Sequence, residues 1–354
     1  MSRFDAVVKE LEAAVGRVFP AAQLIVADGG RTALDVAVGD CDQETWFDVA
    51  SLTKALVTTN LALRLCAAGR LNLDDELRPP GMTVRHALCH ATGLPAWLPL
   101  ASLLPPEVAE GRAAPPAIRA LVRERLRALP VEVPPGSRSL YSDLGFLLLG
   151  EALADIAGAP LDVQWQALAE DWGVLSTYHP STEARIAPTH ADPVLRGVVH
   201  DENARLLGSA AHAGLFSTAR DVSHLAAVLV AAWHGDPPPA AIRGPIPRDL
   251  VRLFWSPCGV PGSTWCLGWD RPAPPPAPSQ AGTRWPREGV GHLGFTGCSL
   301  WIDPPRRRWV VLLSNRVYPS VNNAEDRRKS QEGRDAIRQF RPALHDAIVA
   351  ALDG

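Results

Sequence analysis

The chain has 354 residues, enough for a large core and, by length, for two lobes. A net charge of −3, a sequence pI of about 6.4 and the lack of any basic stripe exclude nucleic acid as a main partner. Met1 to Leu11 is charged and amphipathic, without the apolar core of a secretory signal, and no stretch approaches the ~18 uninterrupted apolar residues that span a bilayer. The expectation is a protein without a membrane span, cytoplasmic as given, or periplasmic if a leader was removed.

In chain order, residues 3 to 18 carry a helical period, and Gln23 to Gly39 reads as two strands joined at the turn Gly29-Gly30. A helix is predicted from Ser51 to Ala68, stopped by Gly69. From 71 to 221 the pattern is helices and loops, with helices predicted over Ala117–Leu129 and Asp143–Ile156. A further helix, Ala219–Trp233, is followed by two proline-rich stretches, Asp236–Pro247 and Arg271–Pro286, which read as surface loops. Strands return at Gly291–Phe295, Ser299–Asp303 and Trp309–Ser314, and Glu325–Leu352 closes the chain as a helix. The fold class expected is α/β plus all-α. Residues 1–70 and 222–354 would build one antiparallel sheet flanked by helices, with 71–221 inserted as a helical lobe and a site in the cleft between them.

Three lysines stand against 32 arginines, and Lys9 and Lys329 sit among charged neighbours. Lys54 instead lies in the apolar run Phe47 to Val57, three residues after Ser51, and positions i and i+3 share a helix face. A guanidinium keeps its proton inside a protein while a buried amine can lose it, so the pair reads as a serine nucleophile with a lysine to help remove its proton. Chance gives only ~0.15 Ser-x-x-Lys matches at this composition. The alternative is a Ser51 cap with Lys54 snorkelling to water. Of three tyrosines only Tyr141 has an acid two residues on, Asp143, just before an apolar helix, where the pair could also serve merely as packing and capping. His292-Leu293-Gly294 matches a weak His-x-Gly pattern that His212-Ala213-Gly214 matches as well, and its place on a predicted strand selects the former.

Ser51-x-x-Lys54, Tyr141-x-Asp143 and His292-x-Gly294, in this order and at these separations, resemble the serine β-lactamase and penicillin-binding-protein superfamily, most closely its class C β-lactamase and family VIII esterase branch. Phe47 to Ala50, Gly69 to Asp75, Leu88 to Pro95 and Gly294 to Pro304 strengthen the likeness, which covers nearly the whole chain. The resemblance implies that Ser51 is acylated, that Lys54 and Tyr141 share the proton transfers, and that the N–H groups of Ser51 and Phe295 form an oxyanion hole beside a substrate-aligning strand 291–295. No metal or organic cofactor is implied, and the partner would be a small-molecule acyl substrate.

Two positions depart from the β-lactamase pattern: Asp143 stands where Asn is usual and His292 where Lys is usual. An ionised Asp cannot donate to a substrate carbonyl, and His is a less dependable cation than Lys. The expectation is therefore a serine hydrolase acting through an acyl-enzyme on small esters or amides, esterase-like, rather than an efficient β-lactamase. A β-lactamase or D-Ala-type peptidase, an acyl transferase, and a non-catalytic binding module of the same fold remain alternatives. The six scattered cysteines read as reduced packing residues, with Cys298 singled out for its place beside the third motif. His190, Asp192, His200, Asp201, Glu202 and His212 lack metal-ligand spacing and read as a hydrogen-bonded loop network bordering the cleft, and His90, Thr92 and Gly93 as a structured turn.

Overall fold

Strand β1 (Ala21–Asp28) is buried along nearly all of its length because both faces of its sheet are covered. Ala21, Ile25 and Ala27 point into one apolar core while Ala22, Leu24 and Val26 point into another, which is why the strand reads as a continuous apolar run. The computed structural model describes residues 2–354 except 79, 106–107, 109–114, 238–241, 243–245 and 320–323, so much of the first proline-rich stretch lies outside the described residues.

The chain order is α1 (Asp5–Ala13), β1, β2 (Arg31–Gly39), β3 (Phe47–Asp48), a π-helical turn (Lys54–Thr58), α2 (Thr59–Ala67), β4 (Glu76–Arg78), β5 (Met82–Thr83) and α3 (Val84–Leu88). Then follow α4 (Pro115–Ala128), α5 (Asp143–Ala157), α6 (Leu161–Trp172), α7 (Glu202–Leu207), β6 (Phe216–Ser217), α8 (Ala219–His234) and α9 (Arg248–Phe254). The last elements are β7 (Val290–Leu293), β8 (Ser299–Asp303), β9 (Arg308–Ser314) and α10 (Ala324–Asp353).

The main sheet is antiparallel with strand order β2-β1-β9-β8-β7, so both chain ends contribute to it as the sequence predicts. On one face α1 supplies Val7 and Leu11, and α10 supplies Ile337, Phe340, Leu344 and Ile348, the spacing of a single helical stripe. The other face packs against α8 and α2 and continues into the helical region through Phe146, Leu149 and Leu153 of α5. A third core, between α4, α5 and α7, holds Ile118, Val122, Leu144, Leu148, Ala204 and Leu207. Gln23 is a buried polar residue of β1, and all its groups are used: Nε2 donates to the carbonyls of Asp42 and Thr45, while Oε1 accepts from the N–H of Ala219. It ties the sheet to the start of α8.

Three differences from the predicted elements bear on the site. The helix expected from Ser51 starts as a turn and passes through one π-helical turn at Lys54 before α2 begins. The strand expected to reach Phe295 ends at Leu293, leaving Gly294 to Cys298 as a tight turn. Residues 216–217, from the region expected to be the helical lobe, pair with Phe47–Asp48 just ahead of Ser51.

Candidate active site

Asp48 sets the turn that presents Ser51. Its side chain is buried, Oδ1 accepting from the N–H of Ala50 at 2.8 Å and Oδ2 from that of His200 at 2.7 Å, and burial pushes its carboxyl up to about 6. Ala50 is held at φ 48°, a left-handed conformation that a non-glycine residue adopts at a cost of order 1–3 kcal/mol. Thr53 locks the same turn, its Oγ1 donating to the carbonyl of Ala50 and accepting from the N–H of Leu215. The π-helical turn then starts at Lys54, a local departure often found at functional sites.

Lys54 is fully buried, so it does not snorkel. Its Nζ lies 3.0 Å from Ser51 Oγ, 3.0 Å from the carbonyl oxygen of His212 and 2.6 Å from Asp143 Oδ1. The Tyr141 hydroxyl hydrogen-bonds with both Lys54 and Ser51, and the Tyr141 ring lies 4.8 Å from the ammonium. Burial on its own would lower the Lys54 pKa, but Asp143 and Tyr141 outweigh it and hold the amine above its ordinary value. Tyr141 is likewise raised, by burial, against the opposing pull of Lys54. At rest the group is therefore a serine, a neutral tyrosine and an ammonium–carboxylate pair. The sequence supplies a lysine able to lose its proton, and the fold supplies the acid that keeps it charged.

Asp143 is not the cap of α5. Ser142 takes that place, its Oγ accepting from the N–H of Gly145, and this frees the first-turn carboxylate of Asp143 to face Lys54. His90 frames Tyr141 from both sides, its carbonyl accepting from the N–H of Leu140 and its Nδ1 from that of Ser142. The turn read at His90 thus positions the tyrosine, helped by ring contacts of His90 at 4.5 Å with Tyr141 and 4.3 Å with Trp265.

The end of β7 approaches this corner through Gly294. A Cβ there would lie 2.4 Å from the carbonyl oxygen of Val49, so only glycine lets the strand come this close to the serine turn. Thr296 Oγ1 ties the two segments together by donating to the carbonyl of Asp48 at 2.7 Å. The N–H groups of Ser51 and Phe295 have no hydrogen-bond partner among the described residues. His292 is buried and donates from Nδ1 to the carbonyl of Leu293, so its unpartnered Nε2 is a lone pair, and burial with Lys54 nearby holds its pKa down at about 3. It is a neutral acceptor and offers no positive charge.

These groups open on a cavity of about 850 Å³, in the range of small-molecule sites. Ser51, Tyr141, Asp143, His292, Gly294 and Phe295 all line it, and Lys54 lies behind them. Residues 190–212 border it as a network. Asp201 bonds His212 Nε2 at 2.9 Å, and the rings of His190, His200 and Phe295 stack in turn. Asp143, Asp201 and His212 bring ligand-type atoms within 4.8 Å of one another, the closest approach to a metal set among the described residues. The Lys54 ammonium already stands against that set, 2.6 Å from Asp143 and bonded to the His212 carbonyl. Sequence reasoning missed Asp48 as the organiser of the turn, Trp265, and the arginines Arg316, Arg334, Arg338 and Arg341 that also line the cavity. Cys298 is buried, its thiol pushed up to about 11 by burial, and Cys258, free and half-buried, packs against the main core as the packing reading expects.

An antiparallel sheet covered by helices, with a helical region against it and a Ser/Lys/Tyr group beside an edge strand, defines the class of serine β-lactamase and penicillin-binding-protein folds. The sequence model of the Beta-lactamase family matches residues 4–334, and the chain belongs to that family. It is 26% identical to the N-acetylmuramyl-L-alanine amidase of Bacillus subtilis strain 168, covering 97% of this chain and 86% of the relative. It is 27% identical to a putative D-alanyl-D-alanine carboxypeptidase of Escherichia coli K12, over 78% of this chain and 70% of that one. Among solved structures, a penicillin-binding-protein homologue from Caulobacter crescentus superposes with a TM-score of 0.68 at 19% identity, covering 99% of this chain and 98% of the other.

Proposed function

We propose that this hydrolase of the Beta-lactamase family works through an acyl-enzyme on Ser51 and acts on small esters. The observation that carries the reading is the contact of Ser51 Oγ with Lys54 Nζ at 3.0 Å, with the Tyr141 hydroxyl bonded to both, at the floor of the cavity. Ser51 Oγ bonds to the acyl carbon, and its proton passes to Tyr141. Tyr141 in turn gives its proton to Lys54, which hands one to Asp143 across the 2.6 Å pair, so the carboxylate is the final acceptor. The carbonyl oxygen takes up negative charge against the N–H groups of Ser51 and Phe295. The acyl–oxygen bond then breaks as the leaving group receives a proton from Tyr141, and water repeats the sequence to release Ser51.

The ester preference rests on Asp143 and His292. The first is committed to Lys54 and cannot donate to an acylamido carbonyl, and the second is neutral, so a penicillin lacks two contacts that a short ester does not need. An amide substrate of the cell-wall type is the second reading, favoured by the printed names of the Bacillus and Escherichia relatives. Intact-mass measurement after exposure to a fluorophosphonate, p-nitrophenyl butyrate and a penicillin tests the scheme, with peptide mapping of the adduct. The expected adduct lies on the Ser51 peptide and is lost in Ser51→Ala, and kcat/KM for p-nitrophenyl butyrate exceeds that for nitrocefin. An adduct persisting in Ser51→Ala, or none from any donor, overturns the mechanism. A preference for nitrocefin overturns the ester assignment alone.

A further inference from the structure

Beside the cavity two thiols meet, where the loop that carries Trp265 docks against the His90 turn. Cys89 closes the C-terminal end of α3 and is 1% exposed. It directly precedes His90, whose carbonyl and Nδ1 accept from the N–H groups of Leu140 and Ser142 on either side of Tyr141. Cys258 is half-buried in the loop that follows α9. That loop is folded back on itself and onto α3. Cys258 donates its N–H to the carbonyl of Trp265, Gly268 donates to the carbonyl of Leu88 at 2.8 Å, and the Trp265 ring stands 4.3 Å from that of His90. At this crossing the Cys89 thiol donates to the sulfur of Cys258, whose own S–H turns to Ser263 Oγ at 3.7 Å.

The other cysteines are settled differently. Cys41 donates to the carbonyls of Ala22 and Val38, Cys266 to that of Trp255 and Cys298 to that of Ser314, while Cys66 lies near Asp75 and Arg85. The thiol-to-thiol contact of Cys89 and Cys258 stands apart from these. Sulfur is a weak donor and a weak acceptor, so the contact holds the loop only loosely as it is. One of its members is within reach of a small oxidant and the other, buried behind it, is placed to resolve the product, the arrangement of a redox-sensitive pair.

We propose that Cys89 and Cys258 are a site of oxidative modification, where a peroxide joins them in a disulfide that fixes the Trp265 loop to the His90 turn and slows turnover at Ser51. The Cys258 sulfur attacks one oxygen of hydrogen peroxide and the O–O bond breaks, leaving a sulfenic acid and one water. The Cys89 sulfur then bonds to that of Cys258, the S–O bond breaks, and the departing hydroxyl takes the Cys89 proton as a second water. Two thiols lose two electrons and two protons, and one peroxide becomes two waters. Closing the contact to a bond of about 2.05 Å draws Cys89 toward the loop and His90 with it. Tyr141 is held through His90, and a misplacement of about 1 Å costs about 10²-fold in rate. The slowing rests on the acyl-hydrolase reading, but the bond itself is read without turnover.

The experiment treats the full chain with hydrogen peroxide, blocks the remaining thiols with iodoacetamide and maps peptides without reduction. The expected product is a linked Cys89–Cys258 peptide, lighter than its two halves by two hydrogens. In the same sample kcat for p-nitrophenyl butyrate should fall roughly ten- to a hundredfold, and dithiothreitol should restore it. Cys258→Ala should keep its turnover under the same peroxide, which separates the bond from oxidation elsewhere in the chain. All six cysteines alkylated after peroxide, a link between any other two, or Cys258 oxidised alone to the sulfinic acid overturns the pair. The linked peptide with unchanged turnover overturns its action on the site. If the reduced chain turns over no ester and Ser51 takes no adduct, the hydrolase reading fails and the slowing with it, while the peptide map still decides the pair.

Discussion

Two groups of cations face the same cavity and are held in opposite ways. The Lys54 ammonium is fully enclosed and has an acceptor on every side, in Ser51, Asp143, Tyr141 and the His212 carbonyl. Arg316 and Arg341, beside Phe295 and Gly294 in the same lining, are nearly as buried, yet each keeps a donor without a hydrogen-bond partner among the described residues. The fold thus sets an acid against the lysine and, among the described residues, pairs no acid with these two arginines.

The strongest way to break this contrast is to put a guanidinium in the enclosed corner. Lys54→Arg keeps the charge and can still pair with Asp143, but it cannot pass a proton from Tyr141 onward. Ester turnover should fall by about 10²–10⁴, the usual worth of a positioned acid–base group. The measurement is kcat for p-nitrophenyl butyrate with the melting temperature taken alongside. Near-normal turnover at an unchanged melting temperature would show that Lys54 contributes charge alone and that the two cation groups do not differ in kind.

The turn joining the two corners is the next point of attack. Gly294 brings β7 against Val49, Thr296 bonds the carbonyl of Asp48, and Arg341 grips Gly294 and Cys298 from the arginine side. In Gly294→Ala the new methyl group must move the strand off the serine turn, and a misplacement of about 1 Å costs about 10²-fold in rate. The fall should appear in kcat for the butyrate ester more than in KM, and circular dichroism should show the fold retained. A variant with unchanged kcat would mean that the Phe295 N–H does not meet the reacting carbonyl.

The corner that brings Ser51, Lys54 and Tyr141 together was legible in the sequence because scarcity marked it: Lys54 is one of three lysines and Tyr141 one of three tyrosines, each in an apolar context. The sheet built from both chain ends was legible from short apolar runs bounded by turn residues, which form β1, β8 and β9, buried on both faces. What stayed hidden depends on contacts between distant segments. The ion pair of Asp143 with Lys54 joins α5 to the helix after Ser51, and no local pattern tells whether such an acid faces substrate or a buried amine. The π-helical turn at Lys54 has no residue signature in Lys54–Thr58. The arginines of the cavity lining were masked by abundance, since 32 arginines make any one unremarked, and their only local trace is the spacing of 334, 338 and 341.

The smallest expected effect lies one turn along α10 from Arg341 and concerns stability. His345 is buried on α10, 6.0 Å from the Trp285 ring, and burial, reinforced by Arg341, lowers its pKa to about 4. The unfolded chain binds a proton at this residue near the ordinary value of about 6.5, while the folded chain does not until about pH 4. Between those values the unfolded state holds more protons, so stability is lost as pH falls, by about 1.4 kcal/mol per unit for a fully titrating group. His292, at about 3, and His200, at about 4, act in the same direction, whereas Asp48, raised to about 6, gains a proton on folding and opposes them as pH falls from 6. His90 and His86 are held down as well, while the raised carboxyls of Glu10, Glu151, Asp221 and Asp270 join Asp48 on the other side, so the share of His345 is read as a difference between two chains. Relative to the unchanged chain, His345→Leu should lose less melting temperature between pH 7 and pH 5, by roughly one proton's share. An identical slope in the variant would mean that His345 titrates alike in both states, and that the arginines beside it are screened by water after all.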